Sequence, residues 1–191
     1  MTSLDPTDLV FAFFCTRMPK VSIITPAFNA SRFIAETVAS VQHQTIKDWE
    51  MLIADDCSTD ETRDIVARIT ANDRRIKLLP LSEHAGVAGC RNGALSEARG
   101  RFIAFLDSDD LWMPPKLEAQ IAFMEANDAA LSYTQFRRIS EDGIRVGRLV
   151  TAPPRMSYQQ LLANTAIATV TAMVDSEKTG ALRMREAPRD D

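Results

Sequence analysis

The amino-acid sequence predicts a mostly parallel, doubly wound α/β sheet with helices on both faces. Short apolar runs of strand length alternate along the chain with longer stretches of helical period. Several of these runs are continuously apolar, as strands are when helices cover both faces of their sheet. The composition, 46% hydrophobic and 25% charged over 191 residues, is that of an ordinary globular domain with its own core.

The first half of the chain predicts three strands, each followed by a helix. Ile34, Val38 and Val41 follow the spacing of one helix face. Ser58 and Glu61 match a capping box, which predicts Ser58 as an N-cap. The predicted elements are strands 21–25 (ended by Pro26), 49–54 and 76–79, and helices from Ser31, from Ser58 (apolar stripe Ile65, Val66 and Ile69) and over 87–99, stopped by Gly100.

The second half predicts a central strand and a less regular end. Residues 102–106 are continuously apolar, and Pro114 and Pro115 mark the start of a helix that reaches about Asn127. The remaining predictions are a strand at 130–136, a hairpin turn at 141–143, a helix near 157–164 and a strand near 167–174. Residues 1–17 are interpreted as an N-terminal extension, and 18–191 as the domain.

Composition also excludes several classes of protein. The net charge of −4 gives no global basic field for nucleic acid. The longest apolar stretch, 9–15, is shorter than the roughly 20 residues of a membrane span. The three cysteines have no zinc spacing and form no disulfide framework, which favours a reducing cytoplasm. No G-x-G-x-x-G or P-loop fingerprint opens a helix.

Polar residues follow three of the predicted strands. They are Pro26, Ala27, Phe28 and Asn29 after the first, Asp55 and Asp56 after the second, and Asp107, Asp109 and Asp110 after the fourth. Ligands of such sheets bind outside the carboxyl ends of the strands, so the three groups are expected to converge on one rim.

Asp107, Asp109 and Asp110 are candidate metal ligands. Carboxylates this close repel each other unless a cation or hydrogen-bond donors neutralise them, and hard oxygen ligands favour Mn²⁺ or Mg²⁺. The alternative is a solvated acidic turn that caps the next helix. An EF-hand is excluded, because its fifth and sixth loop positions would be Leu111 and Trp112.

The other rim residues keep two interpretations each. Of Asp55 and Asp56, one is expected to cap the following turn and the other to accept a hydrogen bond from a base. Phe28 is either a core residue or a stacking surface for that base. Arg91, early in its helix, contacts a diphosphate or base edge, or forms a surface salt bridge.

Five motifs together resemble the family 2 inverting glycosyltransferases, in order and in spacing, over nearly the whole chain. They are VSIITPAFN at 21–29, SVQHQT at 40–45, ADDCSTDET at 54–62, GVAGCRNG at 86–93 and FLDSDDLWMPPKL at 105–117. The resemblance implies a GT-A type fold, in which a nucleotide-binding half precedes an acceptor-binding half, and a hexosyl- or N-acetylhexosaminyltransferase of cell-surface polysaccharide or lipopolysaccharide synthesis.

The resemblance also implies roles for single residues. Pro26–Phe28 and Asp55 would hold the base of a UDP- or dTDP-type sugar donor, with Arg91 beside the nucleotide. Asp107-Ser108-Asp109 would be the D-x-D signature, with Asp109 and Asp110 contacting the ribose and the metal-bound diphosphate. The catalytic base would be Asp191, with Asp190 as second candidate. Phe28 stands where the family commonly has Tyr.

The remaining expectations concern the end of the chain and its surroundings. The helix that follows the catalytic acid in the family does not follow Asp191, so the acceptor half is expected to be incomplete. The acceptor would be a glycan or a lipid-linked sugar. The protein would be cytoplasmic and attached peripherally to the inner face of the membrane, with a weak contribution from residues 9–14.

The alternative function is a truncated or degenerate non-catalytic module that binds nucleotide sugars. A sugar nucleotidyltransferase is disfavoured, because no glycine-rich loop follows the first strand.

Overall fold

The computed structural model describes residues 18–157, 159 and 167–185. A six-stranded sheet has the order β3-β2-β1-β4-β8-β5, and a separate two-stranded sheet joins β6 and β7. The strands of the large sheet are β1 Val21–Ala27, β2 Trp49–Asp55, β3 Ile76–Pro80, β4 Phe102–Phe105, β5 Leu131–Ser132 and β8 Met173–Asp175; those of the small one are β6 Phe136–Ile139 and β7 Val146–Val150.

Helices cover both faces of the large sheet, as predicted. The helices are α1 Ile34–Gln42, α2 Thr62–Thr70, α3 Gly86–Glu97, α4 Lys116–Ala126 and α5 Ser176–Thr179. Neighbouring residues of β1 belong to different halves of the core, because strand side chains alternate between faces. Ile23 packs with residues of α1, α2 and α4, whereas Ile24 packs with residues of α3.

The sheet reverses its winding at one point, between β1 and β4. Strands β1, β2 and β3 follow one another outward as parallel neighbours, and the chain then returns to pair β4 on the other side of β1, also in parallel. β8 pairs antiparallel to β4. Such a reversal opens a crevice at the carboxyl ends of the two strands.

The structure corrects the predicted end of the first strand. β1 runs through Pro26 to Ala27 and stays paired with β2. The Ile24 carbonyl accepts the Leu106 N–H, and pairing with β4 ends at Ile24 and Phe105. Backbone groups two residues apart on a strand point to the same side, so the nitrogen of Pro26 points toward β4 beyond the last paired residues. The missing N–H of Pro26 therefore removes no hydrogen bond of the sheet.

The predicted capping box is wrong. α2 begins at Thr62, and the side chain of its N-cap residue, Glu61, makes no capping hydrogen bond. The Asp60 carboxylate accepts the Thr62 N–H at 3.0 Å instead. The Ser58 hydroxyl accepts the Asn29 N–H from another loop. A tertiary contact therefore takes the side chain that the local pattern assigned to the helix.

The end of the chain is less regular than predicted. The strand expected at 130–136 is reduced to β5, although the hairpin turn at 141–143 joins β6 to β7. The strand expected at 167–174 is a 3₁₀ turn, Thr169–Thr171, followed by β8. The N-terminal extension 1–17 and nearly all of the helix at 157–164 lie outside the described residues. No helix in the described part of the chain is long and apolar enough to cross a membrane.

Candidate functional site

A pocket of about 280 Å³ lies at the reversal point of the sheet. It is lined from the carboxyl ends of β1 and β2, from α3 and from the segment that follows β4. The lining residues are Pro26, Ala27, Phe28, Asp56, Val87, Cys90, Arg91, Asp107, Ser108 and Asp109. The structure thus brings the three polar strand ends together. Asn29, Asp55 and Asp110, which the sequence also placed here, do not line this pocket.

Asn29 fixes the loop that carries Phe28. Its backbone has a positive φ of 48°, a region that asparagine tolerates better than most residues. Its N–H donates to the Ser58 hydroxyl, and its side-chain oxygen accepts the Thr59 N–H, both at 2.9 Å. The loops after β1 and β2 are joined in this way, and Phe28 remains 51% exposed at the pocket wall.

Asp55 is a structural anchor for the loop after β2. Its side chain is fully buried, and one carboxylate oxygen accepts the Ser58 N–H at 3.1 Å and the Arg63 Nε at 2.5 Å. The other oxygen has no hydrogen-bond partner among the described residues. The resemblance assigned Asp55 to the base, but the structure shows it as the residue that caps the turn.

Asp56 is the carboxylate of this pair that faces the pocket. It is buried, and its two oxygens accept the N–H groups of Ala85 and Gly86 at 2.7 and 3.0 Å. The β2 end is tied by these bonds to the start of α3. A carboxylate offers about four acceptor positions, so Asp56 keeps acceptor capacity on the pocket side.

His84 is a component of the site that the sequence did not indicate. Its Nδ1 lies 2.9 Å from an Asp56 carboxylate oxygen. Its ring is tilted against the Phe28 ring, with 5.1 Å between the centroids. His84 and Phe28 are 56 positions apart, and no local pattern connects them. Only the tertiary structure shows that the two rings are in contact.

Arg91 and Asp107 form an ion pair at the pocket wall. The Arg91 Nη2 donates to Asp107 at 2.6 Å, and the Arg91 side chain is only 15% exposed. The Arg91 Nε is buried without a hydrogen-bond partner in the described structure. A guanidinium has five N–H donors, so an arginine that lines a pocket is suited to bind a negatively charged ligand even while it holds Asp107.

Cys90 contributes packing to the pocket rather than reactivity. Its side chain is buried, and this burial, with the nearby charge of Asp56, raises the pKa of the thiol to about 12. A thiol with this pKa stays protonated at neutral pH and is a poor nucleophile.

The acidic segment after β4 lies partly at the pocket and partly outside it. Asp109 is exposed on the pocket, whereas Asp110 is partly buried outside it. Burial, with the charges of Asp109 and Asp107, raises the pKa of Asp110 to about 6. Within the described ranges, no three histidine, cysteine or acidic side chains converge as a ready metal site. The expected triad of Asp107, Asp109 and Asp110 is therefore not formed as a complete ligand set.

The predicted catalytic acids Asp190 and Asp191 lie outside the described residues. Their role remains a prediction from the resemblance.

The fold and the pocket together define a class of protein. The sheet is mostly parallel, its reversal point is lined by an aromatic side chain, an arginine and two acidic strand ends, and its structural neighbours are GT-A type glycosyltransferases. The family model for Glycosyl transferase family 2 matches residues 22–182. The chain belongs to that family.

Relatives and solved structures agree with this assignment. TuaG of Bacillus subtilis (strain 168), a glycosyltransferase assigned to teichuronic acid biosynthesis, is 45% identical over 87% of this chain. WfgD of Escherichia coli, a UDP-Glc:alpha-D-GlcNAc-diphosphoundecaprenol beta-1,3-glucosyltransferase, is 45% identical over 81%. The crystal structure of S. aureus TarS 1-349 with UDP-GlcNAc superposes with a TM-score of 0.66 at 25% identity, over 84% of this chain and 47% of the TarS 1-349 chain. The chain spans 66% of the length of TuaG and 60% of that of WfgD.

Proposed function

We propose that the pocket binds a nucleoside diphosphate sugar together with a divalent cation, and that the protein transfers the sugar to an acceptor hydroxyl. The observation that carries the proposal is the meeting of Phe28, Asp56, Arg91 and Asp109 around one pocket. These side chains supply a stacking surface, a hydrogen-bond acceptor, a cation and an exposed carboxylate, which are the groups that a base and a diphosphate require.

The base binds against Phe28. A half-exposed aromatic ring at a pocket wall offers a flat surface on which a pyrimidine stacks. Asp56 accepts a base N–H in place of Asp55, because Asp55 does not line the pocket. Proteins similar to this chain bind such donors: TarS has been solved with UDP and with UDP-GlcNAc. UDP-sugars are therefore the donors to test first.

The diphosphate binds between Arg91 and the acidic segment. The residues fit a Mn²⁺ or Mg²⁺ ion that takes one or two carboxylates from the protein and the rest of its ligands from phosphate and water. Asp109, exposed on the pocket, and Asp107 would hold it. When bound, such an ion neutralises negative charge on the departing diphosphate. Arg91 lines the pocket and orients the diphosphate through guanidinium N–H groups that its bond to Asp107 leaves available.

Transfer proceeds by direct displacement with inversion at the sugar carbon. An acidic residue, Asp191 or Asp190 by family resemblance, takes the proton from the acceptor hydroxyl. The mechanism needs no covalent intermediate, and the one pocket thiol, Cys90, is neutral and buried. The acceptor is a lipid-linked sugar diphosphate, as the name of WfgD states for that enzyme. By the family resemblance, the reaction takes place at the cytoplasmic face of the membrane.

Replacing Asp109 tests the proposal. Asp109→Ala is expected to abolish Mn²⁺-dependent binding of UDP-glucose in calorimetry and sugar transfer to a polyprenyl diphosphate acceptor, with the melting temperature nearly unchanged because the side chain is exposed. The matched control is Asp64→Ala, which removes an exposed carboxylate from α2 outside the pocket. Equal affinity of both variants for UDP-glucose with Mn²⁺ would refute the assigned role. Binding without transfer by the unaltered chain would instead favour the non-catalytic alternative.

A further inference from the structure

The small β6–β7 sheet exposes its side chains along its length. All five residues of β7 and three of the four of β6 are exposed. The segment 136–155, here called the basic hairpin, contains these strands, their turn and the residues that follow. Its exposed apolar side chains are Ile139, Ile144, Val146, Leu149 and Val150, and Ile144 at the turn is 79% exposed. Ile139 and Val146 pair across the two strands and so share one face, and exposed apolar side chains on one face of a sheet mark a binding surface.

The basic hairpin also differs in charge from the rest of the molecule. It contains five arginines against two acidic residues, a net charge of +3 in a chain whose net charge is −4. The arginines are Arg137, Arg138, Arg145, Arg148 and Arg155. Arg145 and Arg148 are exposed, and their guanidinium groups make no ion pair among the described residues. The surface is therefore apolar and cationic at once.

We propose that the basic hairpin docks onto an anionic phospholipid membrane. Arginine side chains bind lipid phosphates, while short apolar side chains enter the region between headgroups and acyl chains. A second copy that docks hairpin to hairpin is disfavoured as the occupant, because two hairpins of charge +3 repel each other. A soluble polyanion would use the arginines and leave the apolar side chains in water. The proposal does not depend on the sugar-transfer function.

One contact relates the basic hairpin to the pocket. Glu141, in the hairpin turn, forms an ion pair with Arg32, which lies in the loop between β1 and α1. The same loop begins with Phe28, at the wall of the pocket. A hairpin on the lipid surface thus keeps the pocket near that surface, where a lipid-linked acceptor would be present.

Vesicle sedimentation of the full chain tests the proposal. The probes are phosphatidylcholine vesicles with and without about one third phosphatidylglycerol, at low salt. Two variants test the two halves of the surface: Arg145→Glu/Arg148→Glu for charge and Ile144→Ser for apolar insertion. The matched control is Arg68→Glu/Arg74→Glu, which changes the net charge equally with two exposed arginines of α2 and the loop after it.

We expect binding to the anionic vesicles only. Each arginine near an anionic surface contributes about fivefold in partitioning, so Arg145→Glu/Arg148→Glu should bind at least about 25-fold more weakly, and the control double variant should keep most of its binding. Ile144→Ser should bind several-fold more weakly. Every variant should bind UDP-glucose as the unaltered chain does, which separates this result from a failure of the pocket.

Four results would overturn the proposal. The unaltered chain does not sediment with anionic vesicles, or the hairpin and control double variants bind equally. Alternatively, Ile144→Ser retains full binding, which would show that the apolar side chain at the turn does not enter the membrane. Gel filtration tests whether a second copy of the chain occupies the hairpin. A dimer that dissociates only in the hairpin variants would identify another copy of the chain as the occupant.

Discussion

Phe28→Ala is expected to weaken UDP binding strongly while leaving the fold intact. The ring is 51% exposed, so its removal forfeits only about half of the 1.5–3 kcal/mol that full burial of such a side chain contributes. The expected loss of stability is therefore about 1 kcal/mol. Stacking of a base on an aromatic ring contributes about 1–3 kcal/mol by alanine substitution, which is about 5- to 150-fold in affinity. Phe28→Ala should thus reduce the affinity for UDP more than it reduces the stability of the fold.

Titration calorimetry with UDP and Mn²⁺, beside thermal unfolding of the same variants, measures both effects. Phe28→Tyr is the matched control, because its ring keeps the stacking surface and should bind UDP within about threefold of the unaltered protein. Affinity of Phe28→Ala within about twofold of the unaltered protein would show that the base does not stack on Phe28. A melting temperature lowered as far as that of a core substitution would show that Phe28 serves packing.

Three further predictions concern the pocket and the scaffold. Arg91→Lys should weaken UDP binding about tenfold in calorimetry, because a compact ammonium lacks the planar fork with which a guanidinium can bind Asp107 and a phosphate together. Unchanged affinity would exclude Arg91 from the diphosphate site. Gly100→Ala should lower the free energy of unfolding by about 1–3 kcal/mol or more in urea titration, since the added Cβ would lie 2.5 Å from the Ser22 nitrogen of β1. Gly93→Ala, whose Cβ would meet Leu81 at an ordinary 3.5 Å, is its control and should be neutral or stabilising. Glu50→Gln should make the free energy of unfolding less dependent on pH in the acid range. Burial raises the pKa of Glu50, but hydrogen bonds from Arg99 and Ser22 outweigh burial and hold the pKa below its usual 4.5. The folded state then binds fewer protons than the unfolded state, so stability present above pH 4.5 is lost as the pH falls through the folded pKa; an identical acid profile in both proteins would contradict this.

The elements of the first two thirds of the chain could be predicted because their signals are local. Ile34, Val38 and Val41 are all fully buried on α1, as their spacing indicates. The strands β2 and β4 lie within one residue of their predicted ends. The convergence of the strand ends also followed from the sequence, since parallel strands connected by helices all present their carboxyl ends at one edge.

The capping box and Pro26 show where such signals fail. Ser58 and Glu61 have the right spacing, yet the Ser58 hydroxyl binds the loop after β1. Pro26 does not end its strand, because its neighbour β4 is shorter than β1. In both cases a partner distant in sequence determined the outcome.

The sequence by itself determined the fold class, the order of elements and the edge of the sheet where the pocket lies. Tertiary structure alone decided that Asp56 rather than Asp55 lines that pocket, and that the His84 ring packs against the pocket residue Phe28. The physical reason is the range of the interactions involved. Periodicity and turn chemistry act between near neighbours, whereas the direction of a side chain at a strand end depends on hydrogen bonds to loops tens of residues away.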